Sequence, residues 1–89
     1  MNKTLILYTM NGCPHCSEIK NLLKNENIKF YERDIDEYQE EYDLFTEAVD
    51  GYDFVPAFMI IDGENATFFA PERDYETIYD AINIIKNLI

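Results

Sequence analysis

The two cysteines of this 89-residue chain are Cys13 and Cys16, and only Pro14 and His15 separate them. Two thiols at this spacing can form a disulfide that exchanges readily with the disulfide of a substrate. Because the loop between them is so short, loop closure adds little stability, and a purely structural role explains the pair poorly. The spacing therefore predicts a reactive centre in which Cys13 attacks a substrate disulfide and Cys16 resolves the mixed disulfide.

The residues around the pair favour a reactive thiol as well. The apolar run Thr4–Thr9 predicts a buried strand, and an amphipathic run that begins at Pro14 predicts a helix. Proline suits the first turn of a helix, where its missing N–H costs nothing. Cys13 is therefore expected at the helix N-terminus, where unpaired N–H groups and the helix dipole stabilise a thiolate.

His15 is the single histidine of the chain and adjoins both sulfurs. As an imidazolium it can stabilise the Cys13 thiolate and make the disulfide more oxidising; the alternative is an exposed helical residue with a mild effect. A zinc site of Cys13, Cys16 and His15 is a further alternative. A structural zinc site normally has four protein ligands, however, and the sequence has no other cysteine or histidine. We therefore predict no metal site.

The rest of the chain predicts the frame that must hold the cysteines. Its apolar patterns indicate the order β-α-β-α-β-β-α. The initial βαβ unit implies parallel pairing of the first two strands, and a turn at Asp62–Gly63 implies an antiparallel hairpin of the last two. The expected fold class is α/β, with a four-stranded mixed sheet flanked by three helices.

Local signals predict where the middle elements begin and end. The second strand is expected at Ile28–Ile35 and the third at Val55–Asp62. For the second helix we expect Asp36 as the N-cap, completed by Gln39, and Gly51 at the end. Four apolar residues of this helix are expected in the core: Tyr38, Tyr42, Phe45 and Val49.

The last strand is expected at residues 65–70, and Asp74 is expected to cap a helix that runs from Tyr75 to about Leu88. The helix carries a stripe of isoleucines at helical spacing, which predicts the face that packs on the core. These residues are Ile78, Ile82, Ile85 and Ile89.

Composition and charge limit the classes of function. Hydrophobic residues make up 47% of the chain, which supports one globular domain over residues 1–89. The formal net charge is −11, and no basic stripe is present for a phosphate backbone, which argues against nucleic-acid binding. The N-terminal apolar run Leu5–Tyr8 is too short for a signal peptide or a membrane span. We therefore expect a cytoplasmic monomer that does not contact membranes.

Together these features resemble the glutaredoxin branch of the thioredoxin superfamily over almost the whole chain. The segment Cys13–Cys16 is similar to the family's Cys-Pro-Tyr-Cys centre, with histidine in place of tyrosine. Tyr8 resembles the aromatic residue at the end of the family's first strand. Phe54–Pro56 is similar to the family's Thr-Val-Pro, in which the proline is cis and packs beside the two sulfurs.

The resemblance implies a thioredoxin-like fold and a thiol–disulfide oxidoreductase that reduces protein disulfides or glutathione mixed disulfides. It implies no tightly bound cofactor, with glutathione as the reductant or co-substrate. It further implies that Pro14 and His15 belong to the catalytic motif and that Tyr8, Val55 and Pro56 contact the substrate. In this arrangement the backbone of Val55 pairs with an extended substrate segment.

The chain departs from the family at two positions that bind glutathione. Met10 replaces a lysine ahead of the first cysteine, and the glycine pair after the hairpin is absent. Arg73 or Lys20 is then the expected source of a cation, and Asp74 the expected substitute for the family's aspartate.

The resemblance also leaves alternatives for the function. Residues 68–74 resemble glutaredoxin-like proteins that take electrons from thioredoxin reductase and reduce ribonucleotide reductase. A module that binds zinc or an iron–sulfur cluster is another alternative, although Pro14 disfavours a cluster. A thioredoxin-fold interaction module with incidental cysteines is the third.

Overall fold

A computed structural model describes residues 3–89 of the chain. These residues form β1 Lys3–Thr9, α1 Pro14–Asn25, β2 Tyr31–Asp34, α2 Gln39–Ala48, β3 Ala57–Asp62, β4 Asn65–Phe69 and α3 Ile78–Leu88. The four strands make one mixed sheet in the order β2-β1-β3-β4. β1 pairs in parallel with β2 and antiparallel with β3, and β3 and β4 form the antiparallel hairpin. The predicted α/β architecture is confirmed.

Both faces of the sheet are covered, because successive side chains of a strand point to opposite sides. Leu5 and Leu7 of β1 pack with apolar residues of α1 and α3. Ile6 and Tyr8 of the same strand pack with apolar residues of α2. Since α1 and α3 therefore share one face of the sheet, the N-terminal turn of α1, which carries the cysteines, has α3 as its neighbour.

β2 begins three residues later than the predicted strand at Ile28–Ile35. α1 ends through Asn27, whose φ of 57° lies in the left-handed region, and the N–H of Ile28 donates to the carbonyl of Leu23 at 2.9 Å. This bond ties Ile28 to the helix end, so its side chain packs on the core from outside the strand. Pairing with β1 starts only at Tyr31.

The prediction that Asp36 caps α2 is wrong. The carboxylate of Asp34 accepts the N–H of Asp36 at 2.9 Å, and the carbonyl of Asp34 accepts the N–H of Tyr38 at 3.0 Å. This turn moves the helix start to Gln39, with Tyr38 as an N-cap residue that makes no side-chain cap bond. Tyr38 is also exposed rather than in the core, and its ring centroid lies 4.8 Å from the guanidinium carbon of Arg33.

Two predicted turns are found close to where the sequence indicates them. Gly51 follows α2 with a φ of 82°, and its N–H donates to the carbonyl of Thr46 at 2.7 Å. Glycine adopts this left-handed conformation without steric cost. The hairpin loop lies one residue later than predicted, because Asp62 still pairs with Asn65 and leaves Gly63 and Glu64 as the turn.

The prediction that Asp74 caps α3 is also wrong. The N-cap is Thr77, whose side-chain oxygen accepts the N–H of Asp80 at 3.1 Å. Asp74 belongs to the loop before the helix, where its Oδ2 accepts the N–H of Ala70 at 2.8 Å and its own N–H donates to the Ala70 carbonyl at 2.9 Å. Because these two bonds close the loop, α3 begins at Ile78 rather than at Tyr75.

The isoleucine stripe of α3 is buried at Ile78, Ile82 and Ile85, as predicted. Ile89 is 50% exposed, because it lies just past the last helical residue, where the core no longer covers it. Neither α3 nor any other helix formed by residues 3–89 is long and apolar enough to cross a membrane.

Candidate functional site

Cys13 and Cys16 are joined as a disulfide at the N-terminus of α1, with their Cα atoms 5.2 Å apart. Cys13 is the N-cap residue, and its sulfur accepts the N–H of Cys16 at 3.2 Å. This N–H is one of the groups at a helix start that lack a carbonyl partner within the helix. The Cys13 sulfur therefore lies where a negative charge would be stabilised by a hydrogen bond and by the helix dipole.

The two sulfur-bearing residues differ in access. Cys13 is partly exposed, whereas Cys16 is 2% exposed and lies one turn inside the helix. Pro14 occupies the first helical turn, as predicted, and is exposed. A substrate disulfide can approach Cys13 from solvent, whereas the buried Cys16 is much less accessible. This is the order of access that attack followed by resolution requires.

His15 is exposed over 72% of its side chain, and its Nδ1 lies 3.8 Å from Oε1 of Glu18. The imidazole therefore has a carboxylate neighbour one turn along α1. Its effect on a Cys13 thiolate stays a prediction. Within residues 3–89, no three His, Cys, Asp or Glu side chains come together in a group that could hold a metal ion.

A cavity of about 300 Å³ lies between the first turn of α1 and the start of α3. His15 and Glu18 of α1, with Val55 and Pro56, form one part of its lining; Pro71 and residues 75–79 form the other. These residues are called the cis-proline groove below, because the Val55–Pro56 peptide bond is cis, as the resemblance implies. The groove joins the catalytic helix, the loop before β3 and the start of α3.

The segment Val55–Pro56 is held outside the sheet, which corrects the prediction that the third strand begins at Val55. β3 begins at Ala57, and the carbonyl of Pro56 accepts the hydroxyl of the buried Tyr75. Among residues 3–89, no hydrogen bond uses the backbone N–H or carbonyl of Val55. Val55, which is half-buried, can therefore offer its backbone to a partner.

A second cavity, of about 360 Å³, is the one that the disulfide itself lines; its lining includes Cys13, Cys16, Met10, Lys20 and Glu32. Nζ of Lys20 lies 3.0 Å from Oε2 of Glu32, which also accepts the hydroxyl of Thr9 at 2.7 Å. The Thr9 hydrogen bond and, after it, the nearby Lys20 hold the pKa of Glu32 below its ordinary value. The Lys20 cation is therefore already paired.

Tyr8, which the resemblance assigns to substrate contact, is instead part of the core. It is 1% exposed, its ring centroid lies 4.6 Å from that of Phe45, and its hydroxyl donates to Oε2 of Glu41 at 2.6 Å. Burial, and then the hydrogen bond to Glu41, raise the pKa of Tyr8 well above its ordinary value. Tyr8 lines neither cavity beside the disulfide, because its side chain is directed to the α2 face of the sheet.

Arg73 and Asp74, the expected substitutes at the glutathione site, form an ion pair with each other, and each has a further partner within the protein. The guanidinium of Arg73 lies 3.2 Å from Oδ2 of Asp50 and 3.0 Å from Oδ2 of Asp74. Neither residue lines the cis-proline groove. A substrate carboxylate would have to compete with two protein carboxylates for Arg73, so the structure does not present this cation freely.

The structure adds residues to the site that the sequence did not single out. Glu18, Glu76 and Tyr79 line the groove, and the Tyr79 hydroxyl donates to Oε2 of Glu18 at 3.3 Å across 61 positions of sequence. The only signal available in the sequence is that Glu76 and Tyr79 lie near the start of the last helix. Their approach to α1 depends on both helices covering the same face of the sheet.

Comparisons with known proteins agree with this geometry. The family model described as Glutaredoxin matches residues 5–65. Glutaredoxin 1 of Rickettsia typhi is 35% identical over 65 residues, which cover 67% of this chain and 62% of the relative. Glutaredoxin 1 of Rickettsia conorii is also 35% identical over 65 residues, covering 67% of this chain and 64% of the relative. The matches therefore span a little under two thirds of these relatives' length. The family match includes the disulfide and Pro56, and it ends before the segment that supplies residues 75–79 of the groove.

Proposed function

Because this chain belongs to the glutaredoxin family and has its thioredoxin-like fold, we propose that it is a thiol–disulfide oxidoreductase that acts through Cys13 and Cys16. The observation that carries the proposal is the disulfide between a partly exposed N-cap Cys13 and a buried Cys16. The disulfide is the oxidised state of the centre, and the dithiol is the state that reduces a substrate.

The reaction begins with the thiolate of Cys13. It attacks one sulfur of the substrate disulfide, the substrate S–S bond breaks, and the departing thiolate takes up a proton. Cys16 then loses its proton and attacks the Cys13 sulfur of the mixed disulfide, which releases the second substrate thiol. Two electrons have passed to the substrate, and the Cys13–Cys16 disulfide remains.

The protein contributes mainly position and electrostatics to these steps. The N–H of Cys16 and the helix dipole favour the thiolate over the thiol at Cys13. The free backbone of Val55, in the groove that His15 also lines, offers hydrogen bonds to an extended substrate segment. Pro14 fixes the first turn of α1, which holds Cys13 at its N-cap position. His15 is proposed to stabilise the thiolate further when it is protonated.

The electron donor that restores the dithiol is proposed to be glutathione, with thioredoxin reductase as the second candidate. Family membership supports glutathione, and no tightly bound cofactor is needed. The second candidate is supported by the pairing of Arg73 with Asp50 and Asp74, together with Met10 at the position of the family's lysine. The reaction is proposed for the cytoplasm, where reducing conditions regenerate dithiols.

Substitution of the two cysteines tests the proposal. Cys13→Ser should abolish all disulfide reduction, because the attacking thiolate is gone. Cys16→Ser should retain reduction of a glutathione mixed disulfide by a single thiol and lose the turnover that needs both thiols. Both variants lose the same disulfide, so a difference in activity between them cannot come from its loss. Circular dichroism checks that both variants are folded. Full activity of Cys13→Ser would refute the proposal.

A paired assay identifies the electron donor. One arm couples turnover of wild-type protein to glutathione and glutathione reductase, and the other couples it to thioredoxin reductase. Consumption of NADPH in only one arm assigns the donor. Equal rates in both arms would contradict the assignment of a single donor.

A further inference from the structure

The cis-proline groove carries a negative charge of its own. Two carboxylates, those of Glu18 and Glu76, line it, and both residues are exposed. Within residues 3–89, no lysine or arginine is part of the lining, and its one basic side chain, His15, lies 3.8 Å from Glu18. Neither cysteine lines the groove, but His15, which stands between them in sequence, does. A substrate segment that is joined to Cys13 and extends past His15 into the groove therefore meets these carboxylates.

The N-terminus of α3 opposes this charge but is too weak to reverse it. A helix N-terminus is equivalent to about half a positive charge. The side-chain oxygen of Thr77 already accepts a hydrogen bond from the N–H of Asp80, and the carboxylate of Asp80 lies in the same first turn. Both reduce the positive charge that the helix N-terminus presents. Two full carboxylate charges in the groove outweigh the remaining partial charge, so the groove repels anions and attracts cations.

Tyr79 adds an aromatic surface that suits the same kind of ligand. Its side chain is 60% exposed, and its hydroxyl donates to Oε2 of Glu18 at 3.3 Å, which holds the carboxylate beside the ring. The face of an aromatic ring attracts an ammonium or guanidinium group, and a nearby carboxylate strengthens the attraction. An exposed tyrosine beside two carboxylates is a favourable environment for lysine or arginine.

The two side chains that could bind an anionic substrate, Lys20 and Arg73, are already ion-paired with carboxylates of the protein. Lys20 is paired with Glu32 in the second cavity, which the two cysteines line, with 3.0 Å between the charged atoms. Arg73 is paired with Asp50 and Asp74 outside the groove. Glutathione carries two carboxylates and one ammonium group, so it brings net negative charge to a groove that offers no free lysine or arginine.

We propose that the cis-proline groove selects protein disulfides in which lysine or arginine flanks the reacting cysteine, so that the dithiol reduces them faster than anionic disulfides such as glutathione disulfide. The preference ranks the disulfides that the protein reduces and is separate from the choice of the donor that restores the dithiol. This inference rests on the proposed function, because it assumes that Cys13 is the attacking thiolate. Val55 pairs with the backbone of the substrate segment, and the flanking cation lies between Tyr79 and the carboxylates of Glu18 and Glu76. The electron transfer is the two-step exchange described above, with the protein dithiol as the reductant.

Single-turnover reduction of charged peptide disulfides tests the inference. The probes are homodimers of three peptides that differ only beside the cysteine: Lys-Cys-Lys, Ser-Cys-Ser and Glu-Cys-Glu, with blocked ends. Reduced protein is mixed with each probe, quenched in acid and alkylated, and the loss of its two free thiols is measured by mass spectrometry. The rate of each probe with uncharged 2-mercaptoethanol corrects for the intrinsic reactivity of its disulfide. Glutathione disulfide is measured in the same way.

The expected result is a rate that falls from the cationic to the neutral to the anionic probe, by about 10-fold over the series at low ionic strength. At about 0.5 M salt the ratio of the cationic to the anionic rate should fall to about 3-fold, because the electrostatic screening length is then only a few ångströms. In the double variant Glu18→Gln/Glu76→Gln the ratio of cationic to anionic rates should fall to about 2-fold at low salt.

A matched control separates the groove from the total charge of the protein. Glu47→Gln/Glu64→Gln removes the same two charges from exposed positions on α2 and in the hairpin turn, and it should retain the wild-type ratio. Equal corrected rates for the three probes, or the same loss of preference in the control variant, would overturn the inference while leaving the proposed function intact. If wild-type protein reduces none of the probes and no glutathione disulfide, the proposed function itself fails.

Discussion

The cationic side chains that were expected to bind a substrate are held by protein partners, and this determines what each of them can offer. Lys20 is bound by Glu32, and the guanidinium of Arg73 is shared by two aspartates. Glu18, although hydrogen bonded to Tyr79, keeps 45% of its side chain exposed. The residues that can act on a substrate are therefore the carboxylates of the groove rather than the cations of the chain.

Glu32→Gln should make stability less dependent on acid pH. The pKa of Glu32 is lowered in the folded state, so its contribution to the free energy of unfolding is present above the ordinary value of 4.5 and is lost as the pH falls. The side chain is 40% exposed, so at pH 7 we expect the variant to be less stable by up to about 0.5 kcal/mol. Urea unfolding at pH 7 and at about pH 3 measures the difference.

The difference between Glu32→Gln and wild type should approach zero at the lower pH. Glu64→Gln, in the exposed hairpin turn, is the matched control and should match wild type at both pH values. A Glu32→Gln effect of the same size at both pH values would contradict the assigned role of its charge.

Tyr75→Phe should destabilise the protein through the carbonyl of Pro56. The Tyr75 hydroxyl donates to this carbonyl in a buried position, and its loss leaves the buried acceptor without a partner. We expect a loss of about 1–3 kcal/mol in the free energy of unfolding, measured in urea at pH 7. Tyr79→Phe, which removes a hydroxyl from an exposed tyrosine, should cost less than about 0.5 kcal/mol. Equal stability of both variants would contradict this role of Tyr75.

The helices show that local capping signals compete with the loops that precede them. Asp36 and Asp74 both have the residue type and the position of an N-cap, and neither caps its helix. In each case another backbone contact forms before the helix: Asp34, the last residue of β2, accepts the N–H of Asp36, and Asp74, in the loop before α3, accepts the N–H of Ala70. The helices therefore begin after these turns, α2 at Gln39 and α3 at Ile78.

Thr77→Ala should destabilise the protein, whereas Asp36→Ala should not. The side chain of Thr77 accepts the N–H of Asp80, and removal of such a cap costs about 1 kcal/mol. Asp36 is exposed and precedes the helix by a turn, so we expect a change below about 0.5 kcal/mol. Urea unfolding of both variants measures the two values. The reverse order would show that the caps are assigned wrongly.

The whole molecule buries tyrosine hydroxyls on both faces of its sheet. Tyr8 and Tyr42 lie on the α2 face, and Tyr75 lies on the face covered by α1 and α3. Burial is the main cause that raises the pKa of all three above the ordinary value of 10.0. The folded state therefore holds three protons that the unfolded chain releases at alkaline pH.

This burial predicts a steep loss of stability above pH 10. A group whose pKa is raised in the folded state contributes stability below its unfolded pKa and loses it as the pH rises. Three such groups give a decrease of about 4 kcal/mol per pH unit once the pH is well above 10. Urea unfolding from pH 8 to pH 11.5 measures the slope, and absorbance of tyrosinate should rise together with the loss of circular dichroism.

In the Tyr75→Phe variant the alkaline slope should fall to about 2.7 kcal/mol per pH unit, because two groups remain. Tyr31→Phe, which replaces an exposed tyrosine, is the control and should keep the wild-type slope. Tyrosinate absorbance of all three buried residues appearing before any unfolding would contradict the prediction.

The order of elements and the pairing of Cys13 with Cys16 could be predicted from the sequence, because both depend on neighbours along the chain. Apolar periodicity specifies which stretches are helices and strands, and the spacing of Cys13 and Cys16 sets which sulfurs can pair at the start of α1. The parallel pairing of β1 with β2 follows from chain connectivity. These features need no knowledge of distant contacts.

The surroundings of the disulfide were decided only by the tertiary structure. Glu18 and Tyr79 meet because α1 and α3 cover the same face of the sheet, and Tyr8 turns away from the site because alternate side chains of β1 face opposite sides. Arg73 is unavailable because Asp50, on a distant loop, binds it. Charge and hydrogen-bond partners depend on distances between residues far apart in sequence, so the chain alone predicts the attacking sulfur but not the charge of the groove beside His15.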